Sequence, residues 1–170
     1  MHSPEPLKLG QDYPDITPIP ADPERTTYVD AGPVRIGVEY RSLDEDTTFE
    51  VTNADGTTSL GSQPGFVDNG VSLHVHDAAT GLEHLRFDAF DAEPHYHYLV
   101  AGSRNTVIVF DTAAHGPMFP WALECLTTRL DSMLTYAGRS ELAAAVGRGI
   151  SQETLAEVVR LADGSCTKPT

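Results

Sequence analysis

The feature that most constrains this fold is a run of four strand-like segments joined by very short links. The segments are VSLHVHD (71–77), LEHLRFDAF (82–90), HYHYLV (95–100) and NTVIVFD (105–111). The links between them, AATG, DAEP and AGSR, have only four residues each. A parallel crossover needs a dozen or more residues. The pattern therefore predicts an antiparallel meander.

Two earlier segments are expected to add strands to this sheet. VRIGVEYR (34–41) alternates apolar and polar residues with a period of two, which is typical of a half-buried strand. TTFEVTNADGTTSL (47–60) predicts a hairpin around Asp55 and Gly56. We therefore expect a sheet of about five or six strands over residues 34–111, with these two segments at its edge.

The first 33 residues differ in composition from the rest. Seven of the twelve prolines fall in residues 1–33, and this segment has little apolar periodicity. It predicts an extended N-terminal arm that is ordered only where it lies on the domain or on a partner. A length of 170 residues suits one domain, which we place at residues 34–170. The first ten residues lack the basic region and apolar run of a signal peptide.

From residue 117 onward the apolar period becomes helical. A single stripe at i, i+3 and i+4 spacing contains Ala122, Leu123, Leu126, Leu130, Met133, Leu134 and Ala137. Two shorter helices are predicted at residues 140–146 and 151–162. Because the strands come first and the helices (117–163) follow, we expect an α+β fold with the helices packed on one face of the sheet.

Composition narrows the classes of partner. The formal net charge is −14 and the chain has only two lysines, so its surface repels nucleic acid and anionic lipid. No segment approaches the roughly 20 apolar residues of a membrane span. Two cysteines, Cys125 and Cys166, make no disulfide framework and suit a reducing compartment. We expect a cytoplasmic protein that binds neither nucleic acid nor membrane.

Histidines recur on alternate positions of the predicted meander. Side chains alternate between the two faces of a strand, so each pair or set at alternate positions shares a face. The sets are His74 with His76, His84 with Arg86 and Asp88, and His95 with His97. A tight turn at AATG would place His74 roughly opposite His84. In the favourable register all of these side chains crowd one patch, and a slip of one residue would reverse the faces.

Such a patch is suited to a metal ion. Two histidines at i and i+2 stand about 6.6 Å apart at the backbone, so rings that lean inward can meet one ion. A third ligand from a neighbouring strand leaves open positions for water or substrate. The expected zinc, iron or copper ligands are His74, His76, His95 and His97. His84 or Asp88 would complete or orient the set, and Arg86 would either hold a substrate carboxylate or pair with Asp88 or Glu50.

The expected function is that of a small enzyme whose metal activates water or dioxygen on a small polar organic substrate. Two alternatives remain open. One is a binding protein whose sheet face, wet on the side away from the helices, contacts a partner or a second copy together with the arm. The other is a metal-free cyclase or isomerase in which a histidine and Asp88 act as acid and base.

Two family resemblances were compared with these residues. The His-x-His strand is similar to the first cupin motif only in its histidine pair, because Gly70 and Glu83 do not stand at cupin distances from His74 and His76. FDAFDAEPHYHY, followed by a strand, FDTAAHGPMFPWAL and a helix, resembles an uncharacterised bacterial family over about residues 70–137. That family carries no assigned reaction, so the resemblance only marks this stretch as the part to examine.

Overall fold

The computed structural model describes residues 12–14, 18–44, 46–52, 57–62, 67–100 and 104–166. The strands within these ranges are β1 (Asp12–Pro14), β2 (Thr27–Ala31), β3 (Val34–Leu43), β4 (Thr48–Thr52), β5 (Thr58–Ser62), β6 (Asp68–Asp77), β7 (Glu83–Phe90), β8 (His95–Val100) and β9 (Arg104–Val109). The helices there are α1 (Thr112–His115), α2 (Met118–Thr128), α3 (Leu130–Tyr136), α4 (Ser140–Val146) and α5 (Gln152–Cys166). The predicted α+β class is confirmed.

Seven of the described strands form one antiparallel sheet in the order β1-β9-β8-β7-β6-β3-β2. Six of them have five residues or more, in agreement with the predicted five or six strands. Strands β6 to β9 are consecutive neighbours, so the predicted meander is confirmed. The hairpin expected in residues 47–60 forms from β4 and β5. It is a separate two-stranded sheet rather than an extension of the main edge, and its expected turn at Asp55 and Gly56 lies outside the described residues.

The apolar positions of the central strands face the helices. Fully buried residues of this face include Ile36, Leu73, Leu85 and Phe87. They belong to one core cluster with the apolar stripe of α2 and α3 and with Val158 of α5. Burial of this apolar surface is the main favourable contribution to folding. The predicted packing of the helices on one sheet face is therefore confirmed.

The helical stripe predicted from residue 117 is divided between α2 and α3. Hydroxyl groups of Thr127 and Thr128 bond back to carbonyl groups of the preceding turn, which competes with helix continuation. The N–H group of Leu130 then donates to the Arg148 carbonyl at 2.9 Å. Gly149 lies so close to α2 that a Cβ atom there would stand 2.2 Å from the Leu126 carbonyl oxygen. The α4–α5 link thus replaces the helical hydrogen bonds at this break.

The N-terminal segment contributes strands to both edges of the sheet. Strand β1 pairs with β9 at one edge, and β2 pairs with β3 at the other. The connection between them therefore crosses the sheet. Its residues Ile19 and Pro20 contact side chains on the face away from the helices. None of the helices in the described ranges is long and apolar enough to cross a lipid bilayer.

Candidate functional site

The candidate site is the sheet face away from the helices. Register places His74 of β6 opposite Arg86 of β7, and Arg86 opposite His97 of β8. The next row aligns Ser72, Asp88 and His95. Polar side chains that are less than 10% exposed here are those of Glu39, Arg41, Ser72, His74, Arg86, Asp88, His95 and His97. The wet face on which the binding-protein alternative rested is not found, because these side chains are buried and the crossing N-terminal segment lies against them.

A β-bulge changes the pairing that was expected next to the AATG turn. The register shifts between Val75 and His76, so that His76 pairs with Glu83. His74 consequently lies opposite Arg86 rather than His84, and the expected His74–His84 pairing was wrong. His84 is buried elsewhere, near Arg139 and Asp77, and its pKa is lowered first by burial and then by Arg139. It does not join the histidines of the polar face.

Arg86 lies at the centre of the polar face. Its Nε and Nη2 atoms donate to the two carboxylate oxygens of Glu83 at 2.8 and 2.7 Å, and Nη1 donates to the Ile19 carbonyl at 2.6 Å. Burial opposes ionisation of both partners, but their mutual attraction outweighs it. The pKa of Glu83 is held well below its usual range, and that of Arg86 is raised. The ion pair expected for Arg86 is therefore made with Glu83, and its role towards a substrate stays a prediction.

A second guanidinium repeats this arrangement at β3. Arg41 Nε lies 3.1 Å from Glu39 Oε2, and Arg41 Nη2 donates to the carbonyls of Ile19, at 3.0 Å, and of Pro20. Burial acts to raise the pKa of Glu39, yet the hydrogen bond from His74 and the charge of Arg41 lower it on balance. The carbonyl of Ile19 therefore accepts hydrogen bonds from two buried guanidinium groups.

Two groups of histidine and carboxylate side chains lie in this network. The first, called here the Glu83 cluster, consists of His74, His76 and Glu83. His74 Nδ1 is 2.6 Å from Glu83 Oε1, and His74 Nε2 is 3.0 Å from Glu39 Oε2. His76 Nδ1 is 3.0 Å from the Gly81 carbonyl oxygen. Burial lowers the pKa of His76, and this hydrogen bond offsets the effect only in part.

The second group, the Asp88 cluster, consists of Asp88, His95 and His97. The Nε2 atoms of His95 and His97 lie 3.2 and 3.0 Å from the same oxygen, Asp88 Oδ2. Ser72 donates its hydroxyl hydrogen bond to the other oxygen, Oδ1. His97 Nδ1 lies 3.0 Å from Asn105 Oδ1. Three ligand-type atoms therefore converge on one buried point.

Burial and the charge of Asp88 shift the pKa values of the two histidines in this cluster in opposite directions. Burial raises the pKa of Asp88, but hydrogen bonds from both imidazoles outweigh it and hold that pKa well below its usual value. For His95, burial is outweighed by the hydrogen bond and charge of Asp88, so its pKa is raised. For His97, burial prevails over the same carboxylate and the pKa is lowered. Two neighbouring rings thus differ in proton affinity.

Within each cluster the ligand-type atoms lie within 4.8 Å of one another, so each could hold a metal ion. The four histidines expected to bind metal share one face, yet Arg86 divides them into two doublets. His74 and His97 each lie opposite Arg86, so their strands are about 9.6 Å apart, which is two strand spacings. Among the described residues the potential ligand atoms accordingly fall into two groups, and each group combines one histidine doublet with its own carboxylate.

Sequence reasoning assigned no role in the site to several residues that complete it. The polar face also includes Glu39, Arg41, Ser72, Glu83 and Asn105. Glu39 and Arg41 occupy the polar positions of the alternating segment 34–41, and that alternation was the available signal. Glu83 reaches this face only because of the bulge, which strict alternation cannot reveal.

Fold and site together define an α+β domain whose buried sheet face carries two histidine–carboxylate clusters that could hold metal ions. The chain belongs to the family described as a domain of unknown function (DUF7700), whose model matches residues 28–162. The resemblance to an uncharacterised family is thereby confirmed. Comparison with curated proteins and with solved structures gives no significant match.

Proposed function

We propose that this protein is a metal-dependent enzyme and that the Asp88 cluster is its metal centre. The observation that carries the proposal is the convergence of two imidazole nitrogens on one oxygen of a buried carboxylate. Two histidines and one carboxylate from neighbouring strands form a facial set that leaves coordination positions open. This ligand set suits divalent zinc, iron or copper.

The outer atoms of each proposed ligand support this assignment. His95 Nδ1 donates to the Glu93 carbonyl at 2.7 Å, so Nε2, which faces Asp88, is the nitrogen that would exchange its proton for an ion. Ser72 fixes Asp88, and Asn105 contacts the outer nitrogen of His97. Ligating side chains in metalloproteins are commonly held by outer partners of this kind, which fix the ring orientation and tautomer.

A divalent ion at this centre would supply Lewis acidity to activate water or dioxygen. The protein's own part is to exclude bulk water and to hold the ligands, since all three are nearly buried. Ile19 and Pro20 lie across the adjacent guanidinium groups and restrict entry. The substrate is accordingly a small polar organic molecule.

The test is metal analysis of the full-length chain purified without a histidine tag. His97→Ala and Asp88→Asn each lose one equivalent of bound metal relative to wild type, whereas His115→Ala, which removes an exposed histidine, loses none. Unchanged metal content in His97→Ala would overturn the metal centre. Turnover or dioxygen uptake that persists in His97→Ala would overturn its catalytic role.

A metal-free acid–base site is the second candidate. It is favoured by the contact of 3.0 Å between His97 Nε2 and Asp88, which is the geometry of a carboxylate that orients an imidazole base. Turnover that survives exhaustive chelation but is lost in His97→Ala would select this candidate over the metal enzyme.

A further inference from the structure

We propose that the Glu83 cluster is a second divalent-metal site, separate from the Asp88 cluster. The proposed ligand atoms are His74 Nδ1, which faces Glu83, His76 Nε2 and a carboxylate oxygen of Glu83. Two imidazole nitrogens and one carboxylate oxygen match ions of borderline hardness, with Zn²⁺ as the representative. This site extends the proposed function and does not depend on the Asp88 centre.

The tautomer of the His76 ring and the burial of its Nε2 nitrogen are the main evidence. A carbonyl oxygen can only accept a hydrogen bond, so the contact with Gly81 places the ring proton on Nδ1. The lone pair of His76 is therefore on Nε2. That atom is buried and has no hydrogen-bond partner among the described residues. A buried acceptor without a partner is unfavourable, and a metal ion at this point would satisfy it.

The other two ligands are already held in position. Glu39 contacts the outer nitrogen of His74 at 3.0 Å, which is the carboxylate–histidine arrangement seen around bound metals. Arg86 holds both oxygens of Glu83. The 2.6 Å contact between His74 Nδ1 and Glu83 Oε1 requires one proton between the two atoms. A bound ion would displace that proton to solvent, and the proton on His74 Nε2 would still be donated to Glu39.

The two sites are expected to differ in affinity and in exchange rate. His76 and Glu83 are partly exposed, whereas all three residues of the Asp88 cluster are buried. Glu83 also shares its negative charge with Arg86, which weakens its attraction for an ion. We therefore expect a chelator to remove the ion at the Glu83 cluster first.

Native mass spectrometry of tag-free, full-length protein with Zn²⁺ tests the proposal. We expect two ions on wild type and on the control His115→Ala, one on His76→Gln, one on His97→Ala, and none on the double variant His76→Gln/His97→Ala. Circular dichroism verifies that each variant is folded. If wild type binds one ion that His76→Gln retains, or one ion that both single variants lose, the second site is overturned.

This design separates the two proposals. If wild type binds a single ion that is lost in His76→Gln and kept in His97→Ala, the Glu83 site stands and the Asp88 centre fails. As a measurement on wild type alone, Zn²⁺ should shift the imidazole nitrogen NMR signals of His76 and leave those of exposed His115 unchanged. If Zn²⁺ shifts neither His76 nitrogen, the proposal is overturned.

Discussion

The two faces of the central sheet are buried to almost the same extent, but one carries apolar side chains and the other carries polar and charged ones. Strand β7 shows this within four consecutive residues. Leu85 and Phe87 point to the helices and are 0% exposed, whereas Arg86 and Asp88 point the other way and are 1% and 2% exposed. The apolar face packs against helices, and the polar face is held together by ion pairs and by the crossing segment that contains Ile19.

The difference indicates that stability alone does not account for the polar face. Replacing a buried ion pair by well-packed apolar side chains is often neutral or stabilising. A sheet covered by apolar side chains on both faces would therefore fold without these charges. Their presence beside two histidine–carboxylate clusters accords with the metal sites proposed above, and the following experiments test the contrast between the faces.

The largest effect is expected at the centre of the polar face. Arg86→Met leaves the mostly buried carboxylate of Glu83 without its guanidinium partner, and breaking a buried pair in this way costs about 3–5 kcal/mol. Urea unfolding of metal-free protein measures the change. The double variant Glu83→Gln/Arg86→Met should lose less than Arg86→Met alone. A cost below about 1 kcal/mol for Arg86→Met would show that water reaches this face.

A substitution at Leu85, the neighbouring residue on the apolar face, should lower the free energy of unfolding for a different reason. Leu85→Ala removes a fully buried side chain and leaves a cavity, which costs about 2–5 kcal/mol. Because no charge is involved, the loss should be the same at low and high salt. Urea unfolding at two ionic strengths checks this, and a salt-dependent loss would contradict the assignment of the two faces.

The buried thiol of Cys125, on the helix side of the sheet, provides a pH-dependent test of burial on that face. Burial raises the pKa of the Cys125 thiol to about 11. An unfolded thiol ionises near pH 8.5, so the unfolded chain loses this proton first and stability falls as the pH rises from about 9 towards 11. The decrease should approach about 1.4 kcal/mol per pH unit relative to Cys125→Ala. Equal pH slopes in both proteins would show that the thiol is accessible in the folded state.

The smallest effect is expected at an ion pair on the surface. Arg129 and Glu124 lie 3.2 Å apart and are more than half exposed. Glu124→Ala should change the free energy of unfolding by less than about 1 kcal/mol, because water and salt screen the pair. Thermal or urea unfolding provides the measurement. If Glu124→Ala lowered the free energy of unfolding as much as Arg86→Met, burial could not explain why the two ion pairs are expected to differ.

The faces of the strands and the meander could be predicted from sequence, because both depend on local patterns. Alternation placed His74 with His76 on one face and His95 with His97 on one face, and links of four residues predicted the antiparallel order. Only the register shows that the two pairs share a face. The predicted metal-binding role of these residues, the homodimer and the compartment stay predictions. The grouping into two clusters followed only from the register.

The bulge and the covering of the polar face could not be predicted in the same way. The bulge follows the turn in which Asp77 accepts hydrogen bonds from Ala79 and Thr80 and Gly81 adopts a φ of 73°. Such geometry shifts the register by one residue without changing the apolar pattern. The cover depends on Ile19 and Arg86, which are 67 residues apart, and no local periodicity encodes that contact.

The shared carbonyl of Ile19 has a consequence for the order of assembly. The hairpins of β6 to β9 join neighbours in sequence and can form early, whereas the contact from Ile19 to Arg86 spans 67 residues and closes a long loop. Both guanidinium groups must be in place before one carbonyl can accept from them. The polar face would therefore stay exposed to solvent until late in folding. Ions could reach it before the segment that contains Ile19 covers it.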